Sequence, residues 1–248
     1  AVIGLVFFAA MGAMFFSAFY FQLVRGYGPL MSGALFVPFA VAQMVFAPRS
    51  AAMVKRFGPR AVSTAGLLLV AVGLAGFIYI GAETPIWFVG ALFFVMGMGM
   101  ANVMPPATES IMAALPREKA GVGSAVSNTI RQVGGALGVA AVGAVVSALY
   151  RGNLGDAAAG LPAAARSVAE ESISGAYGVA ETAGAAGSGL VQSANDAFLV
   201  AMHYAAVGTT AFTLLSALVA LIWLPGRLPA APAPTSPEAQ ADLALAEV

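Results

Sequence analysis

Long uncharged stretches alternate with short polar segments along the chain, and six of these stretches are long enough to cross a bilayer. They cover approximately residues 1–24, 32–53, 61–82, 85–114, 121–150 and 197–224. A helix needs about 20 mostly apolar residues to span the hydrocarbon layer, whereas strands of a membrane barrel are about 10 residues long and alternate in polarity. The pattern predicts an all-α fold, a polytopic membrane protein whose residues 1–227 form a bundle of six transmembrane helices.

Two segments fall outside the predicted spans. The connection 151–196 is rich in Ala, Gly and Ser and is predicted to be an extracellular loop, with short surface helices in stretches such as Ala163–Ile173. Segment 228–248 is acidic and rich in Pro and Ala, which predicts a disordered cytoplasmic tail. The first apolar stretch begins at Ala1 with neither an initiator Met nor a basic flank, so we interpret the chain as a fragment of a longer protein.

The composition excludes several classes of protein. The chain is 60% hydrophobic and only 9% charged, against about 25% charged residues in ordinary soluble domains. Soluble enzymes and nucleic-acid binders are therefore excluded, and the expected environment is the lipid bilayer. There is no cysteine and one histidine, His203, so we predict no metal site, no cofactor and no enzymatic activity; a membrane enzyme would also need a catalytic motif that the sequence lacks.

Lys and Arg residues predict the orientation, because they are enriched in cytoplasmic loops. Alternate connections fall into two sets. One contains seven basic residues (Arg49, Lys55, Arg56, Arg60, Arg117, Lys119 and Arg227), and the other contains three (Arg25, Arg151 and Arg166). The first set is predicted to be cytoplasmic, which makes this a multi-pass protein of the cell membrane with both ends of the chain inside.

The fifth predicted span carries a polar face. Asn128, Arg131 and Gln132 fall on one side of a helix, and Val133 and Leu137 fall on the other. Arg131 lies near the membrane midplane, where an arginine costs on the order of 3 kcal/mol and needs a partner or a cavity. It either lines a path for substrate or protons or ties helices together.

Glycines on the same span add a second feature. Gly134, Gly135 and Gly138 are candidates for a gating bend, and the spacing of Gly134 and Gly138 permits close approach of another helix.

The fourth span carries Asn102 and Glu109 on one stripe, with Pro105 and Pro106 between them. Glu109 is a candidate partner for Arg131 and a candidate proton carrier; alternatively, it reaches the cytoplasmic interface. Proline removes a backbone donor and clashes with the preceding turn, so the Pro105–Pro106 pair predicts a helix break, either a gating bend beside a cavity or an ordinary kink.

Several of these runs resemble the C-terminal half of the major facilitator superfamily, and most closely its fourteen-helix drug:proton antiporters. The runs are Phe21–Gly33 followed by Pro38, Gly99–Pro106, Ala120–Gly138 with its Asn128, Arg131-Gln132 and glycines, and Asp196–Phe198 with Met202-His203. The connection between the second and third spans resembles the superfamily's cytoplasmic loop motif. Arg56, Gly58 and Arg60 match it, whereas Ala51 and Lys55 replace its glycine and aspartate, so we interpret this loop as an anchor on the inner face.

The resemblance implies a function. Six spans would be one half of a proton-coupled exporter that works by alternating access, with the N-terminal half of the same protein as its partner and the proton gradient as its energy source. The substrate would be a small apolar or cationic organic molecule, in a cavity that Met14, Phe15, Phe16 and Phe19 could line. There are two alternatives. One is a transporter of the same fold that exports or imports a metabolite, amino acid or lipid, and the other is a non-transporting membrane scaffold.

Overall fold

The computed structural model describes residues 2–113, 116, 119–182, 187–224 and 226, with the side chains of 110–113, 120 and 156 left aside. This part of the chain is helical and contains no strand, which confirms the all-α prediction. The eight α-helices are α1 (Val2–Phe19), α2 (Pro29–Ala34), α3 (Val37–Gly76), α4 (Ile86–Ala113), α5 (Ala120–Leu154), α6 (Ala163–Glu171), α7 (Ile173–Thr182) and α8 (Gly187–Trp223). A π-helical turn, Tyr20–Val24, extends α1.

Helix α3 is a hairpin of two membrane-spanning arms. The apolar stretch that contains it, Pro29–Tyr79, is 51 residues long, more than twice what one crossing needs. Gly58 is the one residue inside α3 with non-helical angles, and its φ of 82° lies in the region that favours glycine. Pro59 follows at the first position of the second arm, where a missing N–H costs nothing. The arms 37–57 and 59–76 therefore match the second and third predicted spans.

Glycines set the packing of α3 against α4. A Cβ at Gly66 would lie 2.7 Å from the carbonyl oxygen of Gly99, and a Cβ at Gly97 would lie 2.9 Å from the Cα of Phe39. Because Phe39 and Gly66 belong to different arms, both arms of the hairpin pack on the same stretch of α4. Lipid is as apolar as these side chains, so close van der Waals contact of this kind stabilises helix pairs in a membrane.

A second pair, α1 with α5, is joined to the first by α8. Helix α8 packs against α1, α3 and α5. Its buried positions are mostly small residues, among them Ala197, Ala201 and Ala205. One end of the bundle, the Gly58 end, contains the reversal at Gly58, and the opposite end, the cap end, contains α6 and α7.

The connection 151–196, predicted to be extracellular, is largely helical in its described part. Helix α5 runs to Leu154, and α8 begins at Gly187, ten residues before the predicted span at 197. Between them, α6 and α7 form a two-helix cap, in agreement with the short helices expected at Ala163–Ile173. Residues 183–186 and the predicted tail 228–248 lie outside the described residues, as do Arg117 and Arg227.

Two tyrosines fasten the cap to the bundle. The buried Tyr150 hydroxyl of α5 donates to the Ala169 carbonyl of α6 at 3.1 Å. The Tyr177 hydroxyl of α7 lies 2.8 Å from the Leu23 carbonyl and 3.0 Å from Asn195 Oδ1. The cap is therefore held to α5, to the end of the first span and to α8.

We expect Tyr177→Phe to loosen the cap while the spans stay folded. The change removes a hydroxyl whose single proton lies within reach of both oxygens, which costs about 1 kcal/mol and leaves the Leu23 carbonyl without that donor. Amide hydrogen exchange should become faster in α6 and α7 and stay unchanged in α3 and α4. Tyr204→Phe, at an exposed tyrosine of α8, is the matched control; equal exchange in both variants would contradict the role given to Tyr177.

Helix α4 continues through Pro105 and Pro106, so the predicted helix break does not occur as an interruption. The prolines lack the N–H groups that would bond to the carbonyls of Ala101 and Asn102. A membrane helix tolerates this loss, because neighbouring groups satisfy the freed carbonyls. Pro106 is buried in the bundle and Pro105 is half-buried. The pair therefore weakens α4 locally and leaves its path continuous.

Candidate functional site

Helix α5 is packed on one side only. Gly134, Gly138 and Val142 face α1 and are buried. The remaining surface is bare along much of the helix and carries the polar stripe predicted from the sequence. Apolar residues occupy the opposite part of that surface, where Val133 is 52% exposed and Leu137 57%. A membrane helix with polar residues on its bare side faces protein or water there, because lipid cannot satisfy them.

An open cavity of about 500 Å³ lies along the polar stripe, between α1 and α5. Its lining consists of Phe7, Met11, Asn128, Arg131, Gln132, Gly135, Ala136 and Val139. Most of the wall is apolar, and the polar groups come from one helix. This combination, a mostly apolar pocket with a few polar groups, is typical of small-molecule sites.

Arg131 is held in the cavity by uncharged neighbours. Its Nη2 donates to Asn128 Oδ1 at 3.1 Å, and its guanidinium lies 5.9 Å from the centroid of the Phe7 ring. The ion pair with Glu109 considered from the sequence is not formed. Among the described residues, the ion pair in the structure is Arg166–Glu170 in the cap. The charge of Arg131 is therefore available to a molecule that enters the cavity.

The other two candidate path residues lie outside this cavity. Asn102 is 5% exposed and packs where Gly66 of α3 meets α4. Its Nδ2 donates to the Met98 carbonyl at 2.8 Å, and its Oδ1 has no hydrogen-bond partner in the described part of the chain. Glu109 is exposed near the Gly58 end of α4. Of the five residues predicted for a path, the structure brings together Asn128, Arg131 and Gln132.

The glycines of α5 serve close packing in a helix that continues through them. A Cβ at Gly134 would lie 3.0 Å from the Cα of Gly4, and a Cβ at Gly138 would lie 2.7 Å from the Cα of Phe8. This confirms the close approach expected from their spacing. Gly135 faces the Met11 side chain at the cavity wall. A bend at these glycines stays a prediction.

Phe7 and Met11, which line the cavity, are not the residues that the sequence predicts for it: Met14, Phe15, Phe16 and Phe19. Phe16 is wrong as a cavity residue, because it is fully buried against Phe77, with ring centroids 5.6 Å apart. Phe15 and Phe19 line a smaller cavity near the cap. The first span is apolar on every side, so its sequence contains no signal that distinguishes Phe7 and Met11 from their neighbours.

The loop at Gly58 anchors the bundle through one of its two arginines. Arg60 Nε donates to the carbonyl of Leu224 at 2.7 Å, just past the end of α8. A cation at a helix C-terminus satisfies a free carbonyl and interacts favourably with the helix dipole. Arg56 is exposed and lies 5.1 Å from the ring centroid of its neighbour Phe57.

Replacing Arg60 by glutamine should lower the stability of the bundle by about 1 kcal/mol, because the end of α8 loses its cation. Thermal unfolding of the protein in nanodiscs measures the change. Arg56→Gln, two residues before Gly58 on the other arm, provides the comparison and should unfold like the wild type. If Arg56→Gln were the more damaging of the two, the anchoring contact would be misassigned.

The family follows from comparison with known proteins. Residues 1–139 match the family described as Major Facilitator Superfamily. The chain belongs to the Major Facilitator Superfamily. The resemblance predicted from the motifs is confirmed, and this superfamily member is an integral, multi-pass membrane protein, as its long apolar helices require.

Relatives of this superfamily member include proteins named for drug export. It is 34% identical to the multidrug efflux pump LfrA of Mycolicibacterium smegmatis, over 80% of this chain and 38% of that protein. It is 35% identical to the tetracenomycin C resistance and export protein of Streptomyces glaucescens, over 56% of this chain and 26% of that protein. A methyl viologen resistance protein of Salmonella typhimurium is 30% identical over 54% and 27% of the two chains. The chain thus spans roughly a quarter to two fifths of the length of these relatives.

Proposed function

We propose that this chain supplies one half of the translocation pathway of a proton-coupled exporter of small organic molecules, in the drug:proton antiporter branch of the superfamily. The observation that carries the proposal is the bare polar side of α5, with its open cavity of about 500 Å³. A polar stripe in a membrane needs a facing partner. The rest of the same protein, packed opposite α5, would complete the cavity, in line with the relatives' names as efflux and export proteins.

The lining favours a substrate with an apolar body and a few hydrogen-bond acceptors. Phe7 and Met11 offer aromatic and thioether surface, and Asn128, Arg131 and Gln132 offer donors from one side. Met is flexible and polarisable, so it adapts to ligands of different shape. Such a site accommodates varied organic molecules better than one rigid metabolite.

The energy source in this proposal is the proton gradient, and no cofactor takes part. Glu109 is the carboxylate that the proposal assigns to proton transfer. It is exposed near the Gly58 end, on a helix that contacts α5. Alternating access would then bring it and the Arg131 cavity to the same water-filled side.

Exposed aromatic residues support a cell-membrane location with the Gly58 end in the cytoplasm. Tyr79 and Trp87 are exposed near the cap end, and Phe57 and Trp223 near the Gly58 end. Aromatic side chains of this kind concentrate at the two membrane interfaces. Exposed basic residues collect at the Gly58 end, with Arg49, Lys55, Arg56 and Lys119 among them. The cap is then extracellular.

Single cysteines test the cavity directly, because this segment contains none of its own. We expect Gln132→Cys in the whole transporter to react with a membrane-impermeant thiol reagent and to be protected by an exported drug. Leu137→Cys, on the apolar side of the same helix, should react slowly with the reagent, and the drug should not change its rate of reaction. Equal labelling at both positions, unaffected by drug, would overturn the proposal, provided that both variants retain efflux.

A further inference from the structure

Two polar side chains are buried without hydrogen-bond partners where α4 packs against the second arm of α3. Asn102 Oδ1 and Ser63 Oγ have no partner among the described residues. Asn102 is 5% exposed and Ser63 is fully buried, so bulk water does not reach them. Buried polar atoms are almost always hydrogen-bonded, either to protein or to an ordered water, because an unmade bond is costly. Together these two atoms point to a ligand that both donates and accepts hydrogen bonds.

Ser63 and Asn102 belong to neighbouring turns of the same helix contact. A Cβ at Gly66 would lie 3.0 Å from the Cβ of Asn102, so this side chain starts beside Gly66. Ser63 precedes Gly66 by three residues on the buried side of α3, which places it ~4.5 Å nearer to the Gly58 end. Helix α4 runs toward the Gly58 end as well. The turn of α4 that follows Asn102, with Pro106 in it, is therefore at the level of Ser63.

A backbone acceptor is freed at the same level. Neither Pro105 nor Pro106 has an N–H to offer to the carbonyl of Asn102. Both Asn102 and Pro106 are buried, so this carbonyl is screened from bulk solvent. The Ser63 hydroxyl thus provides a donor, and Asn102 provides two acceptors, its Oδ1 and its carbonyl oxygen. An ordered water in a protein forms about three hydrogen bonds, and this set supplies that number.

The chemistry of this group favours water over a metal ion. Residues 37–76 and 86–108 contain no Asp or Glu, so a cation would enter without a countercharge. Four basic residues belong to the same hairpin: Arg49, Lys55, Arg56 and Arg60. The hydroxyl proton of Ser63 also needs an acceptor, which a water molecule provides and a metal ion does not.

We propose that Ser63 and Asn102 hold an ordered water molecule between α3 and α4, beside the proline pair. The water accepts from the Ser63 hydroxyl and donates to the Oδ1 and the carbonyl oxygen of Asn102. It thereby replaces the backbone bond that the prolines remove, which lets α4 continue through the pair. The site is independent of the proposed function, because it needs neither a substrate nor a proton gradient.

Solid-state NMR of the whole transporter in lipid bilayers, labelled with ¹⁵N-Asn and ¹⁵N-Met, tests the water directly. Magnetisation should pass from water to the side-chain amide of Asn102 at least threefold faster than to the backbone amide of Met96. Met96 is the dry control, since it belongs to the same helix, is 1% exposed and packs tightly on Gly73. The loss of one signal in Asn102→Leu, or in Asn102→Ser if the first variant does not fold, assigns the amide.

A double-mutant cycle tests whether the two side chains share this water. Asn102→Leu keeps the size of the side chain and should lower the unfolding midpoint by about 2–4 °C. Adding Ser63→Ala should lower it little further, because both changes release the same molecule. Ser17→Ala is the matched control. Ser17 is buried with its hydroxyl already bonded to the Ala13 carbonyl at 2.7 Å, so its effect should add in full to that of Asn102→Leu.

Two results would each exclude the bound water. One is transfer to the Asn102 amide as slow as transfer to Met96, and the other is full additivity of Asn102→Leu with Ser63→Ala. Both measurements are made without transport, so a failure of the Gln132 labelling experiment would count against the proposed function alone.

Discussion

Gly138→Leu is expected to abolish the packing of α1 on α5 and to lower the stability of the bundle by more than about 3 kcal/mol. A Cβ at Gly138 would lie 2.7 Å from both the carbonyl carbon and the Cα of Phe8. Backbone cannot rotate out of the way as a flexible side chain does, and overpacking typically costs about 1–3 kcal/mol even where the neighbours can move. The two helices must therefore separate. The measurement is the thermal unfolding midpoint in nanodiscs, together with the yield of folded protein.

Gly152→Leu is the matched control for this change. Gly152 belongs to the same helix, is exposed, and a Cβ there would have no described atom within 4 Å. It should unfold at or slightly above the wild-type temperature, because glycine disfavours helix. Similar midpoints for Gly138→Leu and Gly152→Leu would show that α1 and α5 do not depend on this contact.

Arg131→Gln should reduce drug efflux by the whole transporter at least tenfold while leaving the protein folded. Glutamine keeps a polar side chain in the stripe but removes the charge and the fixed fork of donors. An intramembrane arginine is costly to retain, and its side chain already lies in the cavity beside Phe7. Arg131→Lys should retain part of the activity, since it keeps the charge. Efflux of a fluorescent drug from energised cells measures both variants.

Arg151→Gln separates a cavity effect from a general effect of losing an arginine. Arg151 is on the same helix near the cap end, and it is exposed outside the large cavity. Its efflux should stay within about twofold of wild type, as expected for a surface substitution. Normal efflux in Arg131→Gln would remove Arg131 from the pathway and leave it a structural residue.

The number of spans could be read from the sequence because a membrane imposes a length on each apolar stretch. The ends of the spans could not. Residues 187–196 fall in the connection predicted to be a loop, yet α8 begins at Gly187, because α7 packs against this helix and Tyr177 bonds to Asn195. Pro105 and Pro106 do not interrupt α4, and in a membrane the groups of neighbouring helices can satisfy the carbonyls that the prolines free. A bend at this pair stays a prediction.

The candidate site also contains residues that the sequence predicts and others that it does not. Asn128, Arg131 and Gln132 were found because helical spacing puts them on one face of α5, and this face is the one left bare. Helical spacing could not indicate that Asn102 points to Gly66 of α3, because a stripe defines a side of its own helix and not the neighbour it meets. The position of Asn102 follows from the packing of α4 against the two arms of α3, which only the structure shows.

The single-residue reversal at Gly58 limits how the length of this chain can vary. Two membrane crossings meet there without a linker, and the next turn already carries the Arg60 contact to Leu224. An added residue would change the rotation of one arm by about 100° relative to α4 and misplace its glycines. The tip of the cap end differs, since Ala157, Ala159 and Gly160 are exposed. Insertions, epitope tags and natural differences in length are therefore to be accommodated there, on the face opposite Gly58.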